Sequence, residues 1–272
     1  MSEASHWAAQ ARRWQFVAAP LRPSAADLEQ VEDALGRHLT AASSSNALLC
    51  GVTPELARLP IVQRMNLVAI DQSEPMIRAV WPGDTERRRA RVGDWFALDM
   101  PDASIGVALG DGCFTLLDYP NGYRRFTASL ARVLHSQGLF SIRLFCRPAQ
   151  AESLDEVFRQ LFAGTIGNFH VFKWRLAMAL QGDDVTAGVP VDRIWRTFQE
   201  LCSSAASLAE RVGYPVDEVL TIDNYRGATA SYTYPTVAEV TRQLEPYFEL
   251  VSEWRGGYEL AERCPQLLFR RR

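Results

Sequence analysis

Several things are scarce in this chain, and each absence excludes a class of protein. The 272 residues hold five cysteines, Cys50, Cys113, Cys146, Cys202 and Cys264, and none forms a C-x-x-C pair. Their odd number and scattered spacing exclude a disulfide framework and a thiolate zinc site. No apolar run approaches the roughly 18 residues a membrane span needs, and the N-terminus carries no apolar signal core. Both point to a cytoplasmic protein that does not engage a membrane. Basic excess is also missing: the net charge is −3 and the pI near 5.9. A nucleic-acid backbone is therefore not the expected partner. The clusters Arg87–Arg89 and Arg270–Arg272 read as a solvated loop and tail. Glycine is sparse where a dinucleotide-binding turn would need it, since no G-x-G-x-x-G follows a strand. A Tyr-x-x-x-Lys pair is absent too, so an NAD(P)-dependent oxidoreductase is the weaker reading.

What is present is a regular alternation of apolar runs and amphipathic segments. Hydrophobic residues make up 47% and charged residues 22%, ordinary values for a globular chain. A helix signal near Ser5–Phe16 carries Trp7, Trp14 and Phe16, and Pro20 and Pro23 break it. Ser24 then caps a helix whose Leu28, Val31, Leu35 and Leu39 share one face. Short apolar runs at Ala47–Cys50, Leu67–Ile70, Ala90–Val92, Ile105–Leu109 and Leu139–Phe145 read as strands. Helical segments separate them, near Pro54–Leu59, after Ser73 to Val80, and from Gly122 to His135, where Gly138 reads as the closing residue. This alternation predicts a doubly wound, mainly parallel sheet. Beyond Pro148 the strand rhythm stops, and two amphipathic faces (Leu154, Val157, Phe158, Leu161, Phe162; Ile194, Trp195, Phe198, Leu201) predict a helical insertion. Thr236-Val-Ala-Glu239 is a capping box that restarts the sheet pattern, followed by strands over Phe248–Trp254 and Gln266–Arg270 about Gly256-Gly257. The expected layout is N-terminal helices over 1–44 as a candidate lid, a core over 45–150 and 235–272, and a cap over 151–234.

Parallel sheets bind ligands at the carboxyl ends of their strands, so the residues after each apolar run carry the chemistry. Gly51 follows the first strand and allows close backbone approach. Asp71 ends the second strand, 20 positions later, where a carboxylate accepts from ribose hydroxyls. Ser73 is available as the helix cap, which leaves Asp71 to a ligand. Asp94 follows the third strand with Trp95 beside it, a carboxylate for an adenine amino group and an indole for its ring face. Gly110-Asp111-Gly112 ends the fourth, with Asp111 placed to hold an amino group or orient a substrate.

This order resembles the class I, Rossmann-like SAM-dependent methyltransferases. Leu67-Val-Ala-Ile-Asp71-Gln72-Ser-Glu-Pro-Met76 looks like the second-strand motif of that superfamily. Arg91-Val-Gly-Asp94-Trp95 through Ile105 is similar to its adenine-holding stretch, and Tyr123–Leu144 to the helix and fifth strand that follow. The resemblance covers about residues 45–147 and the terminal strands. It implies a seven-stranded sheet with an antiparallel last strand, S-adenosylmethionine as cofactor, and Gly51, Thr53, Asp71, Gln72, Met76, Asp94, Trp95 and Gly110 around it. The first motif departs from the family: Gly51-Val-Thr-Pro-Glu55 keeps one glycine, like a subgroup with a degenerate glycine motif, and the methionine-binding loop is then rebuilt around Thr53 and Glu55.

On the acceptor side the aromatic-rich cap predicts a small, partly apolar or aromatic molecule. Trp14, Trp174, Tyr225 and Tyr232 are the candidate substrate contacts, and His170 and Asp111 the candidate catalytic groups. No metal ligands are expected, and a homodimer is a candidate assembly. The rival to an enzyme is a repurposed SAM-fold protein that binds a ligand without turnover.

Overall fold

The computed structural model describes residues 3–39, 44–202 and 204–272. Among the described residues nine strands form: β1 (Asn46–Cys50), β2 (Asn66–Asp71), β3 (Arg88–Val92), β4 (Ile105–Asp111), β5 (Leu134–Arg143), β6 (Val189–Pro190), β7 (Ser231–Tyr232), β8 (Phe248–Trp254) and β9 (Gln266–Arg271). Seven of them build one sheet in the order β3-β2-β1-β4-β5-β9-β8. The first five run parallel, and β9 is antiparallel to both β5 and β8. Alternation along the strands feeds two cores. Leu48 and Cys50 face one with Phe126, Phe140 and Phe269, while Ala47 and Leu49 face the other with Val31, Leu35 and Val62. This is the period of two that a pleated strand imposes.

The helices are α1 (Glu3–Arg12), α2 (Ala25–His38), α3 (Pro54–Ala57), α4 (Pro60–Gln63), α5 (Glu74–Val80), α6 (Asn121–Val133), α7 (Leu154–Phe162), α8 (Phe169–Gln181), α9 (Val191–Leu201), α10 (Ala205–Val212), α11 (Val216–Val219) and α12 (Val237–Leu244). Ser24 caps α2 and Thr236 caps α12, each in a reciprocal capping box. Helices α7–α11 lie between β5 and α12 and enclose a separate apolar core of Val157, Phe172, Leu176, Phe198 and Tyr225. No described helix is long and apolar enough to cross a membrane.

Four local expectations change. The segment after Gly51 is two four-residue turns, α3 and α4, because Pro54 and Pro60 each start a helix and neither can sit inside one. Helix α6 stops at Val133 and β5 begins at once, so Gly138 is not a helix terminator. It sits in a bulge where Ile105 pairs with Leu134 and Val107 with Leu139. The left-handed residue there is Gln137 (φ 68°), and a Cβ on Gly138 would meet the His135 carbonyl at 2.9 Å. The insertion is not purely helical, since β6 and β7 pair within it. Arg88 and Arg89 lie in the edge strand β3, and Arg270 and Arg271 lie in β9, rather than in a loop and a tail. Positive charge on an edge such as β3 discourages pairing with another chain.

One charged side chain sits deep in this apolar frame. Arg143, at the end of β5, is 1% exposed. Its Nε meets Asp111 Oδ1 at 2.7 Å and its Nη2 meets Oδ2 at 3.2 Å, a forked pair with the end of β4. Its Nη1 donates to the Pro20 carbonyl at 2.9 Å and lies 3.8 Å from Asp27 of α2. Burial opposes charge on the guanidinium, but the Asp111 carboxylate overrides this and holds its pKa above the usual value. Breaking such a buried pair from one side costs about 3–5 kcal/mol because the partner charge is stranded. Arg143→Met should therefore lower Tm by about 10 °C, at roughly 2–4 °C per kcal/mol for a chain of this size. Adding Asp111→Asn to that variant should restore part of the loss. Calorimetric melting of the three proteins checks this, and a single variant melting like wild type would contradict it.

Candidate active site

The strand order reverses between β1 and β4, so the crevice outside their carboxyl ends is the natural ligand site of the sheet. A cavity of about 940 Å³ opens there. Gly51, Asp71, Asp94 and Asp111, the residues that end or follow β1 to β4, all line it. So do Thr53, Gln72, Met76 and Trp95 from the same strand ends, and Trp14 from the N-terminal segment. The structure therefore brings these nine residues to one cavity.

Gly51 has φ +93°, a conformation that L side chains rarely adopt, and its N–H donates to the Ile70 carbonyl at 2.8 Å. A Cβ there would stand 3.9 Å from Asp71 Oδ2 and 4.0 Å from Trp95 Cζ2. The absent side chain is what leaves the space between these two groups open. Val52 is 3% exposed and packs into the core with Leu56, and it also borders the cavity. Glu55 does not rebuild the loop: both Nε and Nη2 of Arg22 grip its Oε1, and it does not line the cavity. The Thr53 side chain makes no cap bond to α3.

Asp71 and Ser73 divide their tasks as the sequence suggested. Ser73 Oγ caps α5 by accepting from the Met76 N–H, and Asp71 Oδ1 accepts from the Ser73 N–H at 2.7 Å. Oδ2 is the oxygen turned toward Gly51. Burial pushes the Asp71 carboxyl up to about 6, against the lowering effect of the Ser73 N–H. Asp94 Oδ1 accepts from the Phe96 N–H at 2.8 Å and from Gln72 Nε2 at 3.3 Å. Both bonds fall on one oxygen, which leaves Oδ2 for a ligand. The Trp95 indole N–H donates to the Ile70 carbonyl at 2.7 Å and its ring tilts against Phe126, so the ring is pinned at two points.

Five predicted residues lie elsewhere. His170 is fully buried, and its Nε2 lies 2.8 Å from the Phe16 carbonyl. Burial, helped by the nearby Lys173 charge, lowers its pKa to about 3. It is a neutral strut between the cap and the N-terminal segment. Trp174, Tyr225 and Tyr232 pack edge-to-face inside the cap core. Tyr232 meets His6 Nε2 through its hydroxyl at 3.2 Å. Gly110 serves packing, since a Cβ there would sit 2.7 Å from Ile142 Cδ1 and 2.8 Å from Cys113 Sγ. Helical spacing among aromatics marks core as readily as it marks a pocket, and burial decided for core.

The remaining wall was not legible from motifs. Leu116, Leu117, Asp118 and Tyr119 follow β4, and Thr186–Gly188 with Thr229–Ser231 and Thr233 flank the β6–β7 ribbon. Thr233 fixes the ribbon on the turn: its N–H donates to the Thr115 carbonyl at 2.9 Å, and its Oγ1 to Leu117 at 2.8 Å and Phe114 at 3.0 Å. Trp7 joins Trp14 over the cavity. Helix α1 is tied to the cap by His6 Nδ1, 2.9 Å from the Asn224 carbonyl, and Arg13 bonds the Leu220 carbonyl. Arg143, hidden in Leu139–Phe145, had one signal, a charge inside an apolar strand.

No protein-family model and no curated protein matches the chain. Solved structures do. The "putative Zn-dependent alcohol dehydrogenase" of Rhodobacter sphaeroides is 12% identical, with 97% of this chain and 98% of that chain covered and a TM-score of 0.56. The 1,6-didemethyltoxoflavin-N1-methyltransferase of Burkholderia thailandensis, solved with 1,6-didemethyltoxoflavin and S-adenosylhomocysteine, is 15% identical over 99% and 86%, with a TM-score of 0.55. A chain from the complex of the Haloferax volcanii Trm112 methyltransferase activator with a "putative methyltransferase" is 13% identical over 100% and 98%, with a TM-score of 0.53. Two differently named activities share this architecture, so the likeness fixes the fold and leaves the reaction to the site. The fold is a Rossmann-like, seven-stranded, mainly parallel sheet with an antiparallel last strand, and the Burkholderia thailandensis methyltransferase is among the solved chains it resembles.

Proposed function

We propose that the cavity binds S-adenosylmethionine and that the protein transfers its methyl group to a small, partly apolar or aromatic molecule. The observation that carries this reading is the convergence of Gly51, Asp71 and Asp94 around one cavity at three successive strand ends. The fit rests on the donor set and on the empty position of the Gly51 Cβ. Asp71 Oδ2 accepts the ribose hydroxyls, Asp94 Oδ2 accepts the adenine amino group, and Trp95, Phe96 and Met76 supply apolar contact. When bound, the cofactor supplies a methyl group on a positively charged sulfur. The chain's own part is to orient an acceptor and exclude water. Trp7 and Trp14 act as the lid over residues 1–44, and residues 151–234 serve as the substrate cap on the core of 45–150 and 235–272.

Asp111 works as a fixed charge rather than as a base. Its two oxygens are both engaged by Arg143, and the cluster holds two carboxylates against one guanidinium. That imbalance favours positive charge at the β4 end of the cavity. All five cysteines are free and buried, which suits a reducing cytoplasm.

Titration calorimetry with S-adenosylhomocysteine and NADH tests the assignment. S-adenosylhomocysteine should bind and NADH should not, and the reverse order would sink the methyltransferase reading. Asp71→Ala should weaken S-adenosylhomocysteine by about 10–100-fold, the loss for bonds to a charged acceptor.

The Asp71 carboxyl at about 6 gives a pH signature. Hydroxyls donate to the ionised form, so affinity should hold above about pH 7 and fall about tenfold per pH unit below 6. Asp71→Asn should remove that dependence. Stability runs the other way: the raised pKa means the fold binds the proton more tightly than the unfolded chain does. Stability is then fullest below the unfolded value and drops as pH rises through about 6. Asp71→Asn should therefore raise Tm at pH 7.5 while it lowers affinity, and a fall in both would count against this account.

Gly51→Ala places a Cβ at a left-handed position inside the cavity. The strain should cost about 1–3 kcal/mol, and S-adenosylhomocysteine affinity should fall in the same variant. Wild-type affinity would show that the loop does not approach the ligand.

A further inference from the structure

The acceptor side of the cavity has a charge character of its own. Asp71, Glu74, Asp94, Asp111 and Asp118 all line the cavity, and among the described residues lining it none is Lys, Arg or His. Two of these carboxylates are answered from outside, Asp111 by Arg143 and Glu74 by Arg78. Asp71 and Asp94 face the end assigned to the cofactor. Asp118 remains, on the turn after β4 that Thr233 locks to the cap ribbon.

The position of Asp118 is built into the chain. It stands just ahead of α6, and a Cβ on Gly122 would lie 2.5 Å from its Oδ1. Glycine at 122 keeps the space that the carboxylate occupies. Asp118 is itself exposed at the cavity edge, and Trp14, Leu116, Tyr119 and Ser231 are among the other residues that line the same cavity. Carboxylates and aromatic faces select the same partner, since a ring face attracts positive charge through its quadrupole. A cleft lined by one sign of charge also focuses its field on what enters.

We propose, resting on the methyltransferase reading above, that the acceptor is a nitrogen compound. It enters as an amine or ammonium group on a compact apolar or aromatic body, with one N–H held by the Asp118 carboxylate, and an ammonium loses a proton to water before its freed lone pair can accept the methyl group. At the Asp118 end, acceptors whose charge there is a carboxylate or phosphate are disfavoured, because that charge would stand against the Asp118 carboxylate. Enclosure by α1, the β4 turn and the ribbon suits a free small molecule.

The test is a matched pair of probes of nearly equal shape, tryptamine and indole-3-acetate, titrated by calorimetry into the full-length protein. Each is run alone and with saturating S-adenosylhomocysteine. Tryptamine should bind at least about tenfold tighter, the scale of one charge-assisted bond against a repelled charge. Asp118→Asn should shrink that ratio about tenfold, and the preference should weaken as salt is raised. Equal or tighter binding of indole-3-acetate, no binding of tryptamine, or an unchanged ratio in Asp118→Asn would each overturn the proposal. S-adenosylhomocysteine titrated on the same samples reports the cofactor end separately. If it fails to bind while the amine preference holds, the methyltransferase reading falls and the amine site stands.

Discussion

The fork between Arg143 and Asp111 is the interaction on which the rest of this structure depends. A guanidinium placed where almost no solvent reaches it must find carboxylates or leave the interior. Here it finds one at the end of β4 and a second, Asp27, on α2, and it binds the Pro20 carbonyl as well. Three stretches distant in sequence are thereby fixed to one point below the cavity. The same contact decides what Asp111 can do. Both of its oxygens are engaged by the guanidinium.

The cavity above that point depends on a division of labour among elements. The strand ends present two carboxylates, each held by a local bond: Asp71 by the Ser73 N–H and Asp94 by the Phe96 N–H. The opposite wall comes from the β4 turn, the cap ribbon and α1, which are joined to one another by hydrogen bonds rather than by a shared sheet. One wall therefore sits on the rigid sheet, and the other sits on inserted loops.

The glycine loop shows how local sequence misleads and tertiary structure resolves. Val52 and Thr53 look like obstacles where a family motif has glycines. Yet Val52 turns into the core, and the one residue that must be glycine, at φ +93° beside Asp71, is glycine. The aromatic cap residues mislead in the other direction. Trp174, Tyr225 and Tyr232 were reasonable ligand contacts by composition, but Trp174 lies on the buried α8, and Tyr232 packs against both it and Tyr225 inside the cap. His170 fails as a base for the same reason, since burial holds it neutral and the Phe16 carbonyl occupies it.

What the amino-acid order determined by itself was local and periodic. Apolar runs of strand length set β1 to β5, and Ser24, Ser73 and Thr236 set helix starts through bonds to residues three positions on. Because ligands gather at strand ends, this also placed Gly51, Asp71, Asp94 and Asp111 on one rim. What only the tertiary structure decided were contacts between distant segments: Arg143 with Asp27, Thr233 with the β4 turn, Trp7 and Trp14 over the cavity, and Asp118 facing it. No spacing rule reaches across more than 100 residues, so which side chain is buried, paired or left open to a ligand is settled by packing.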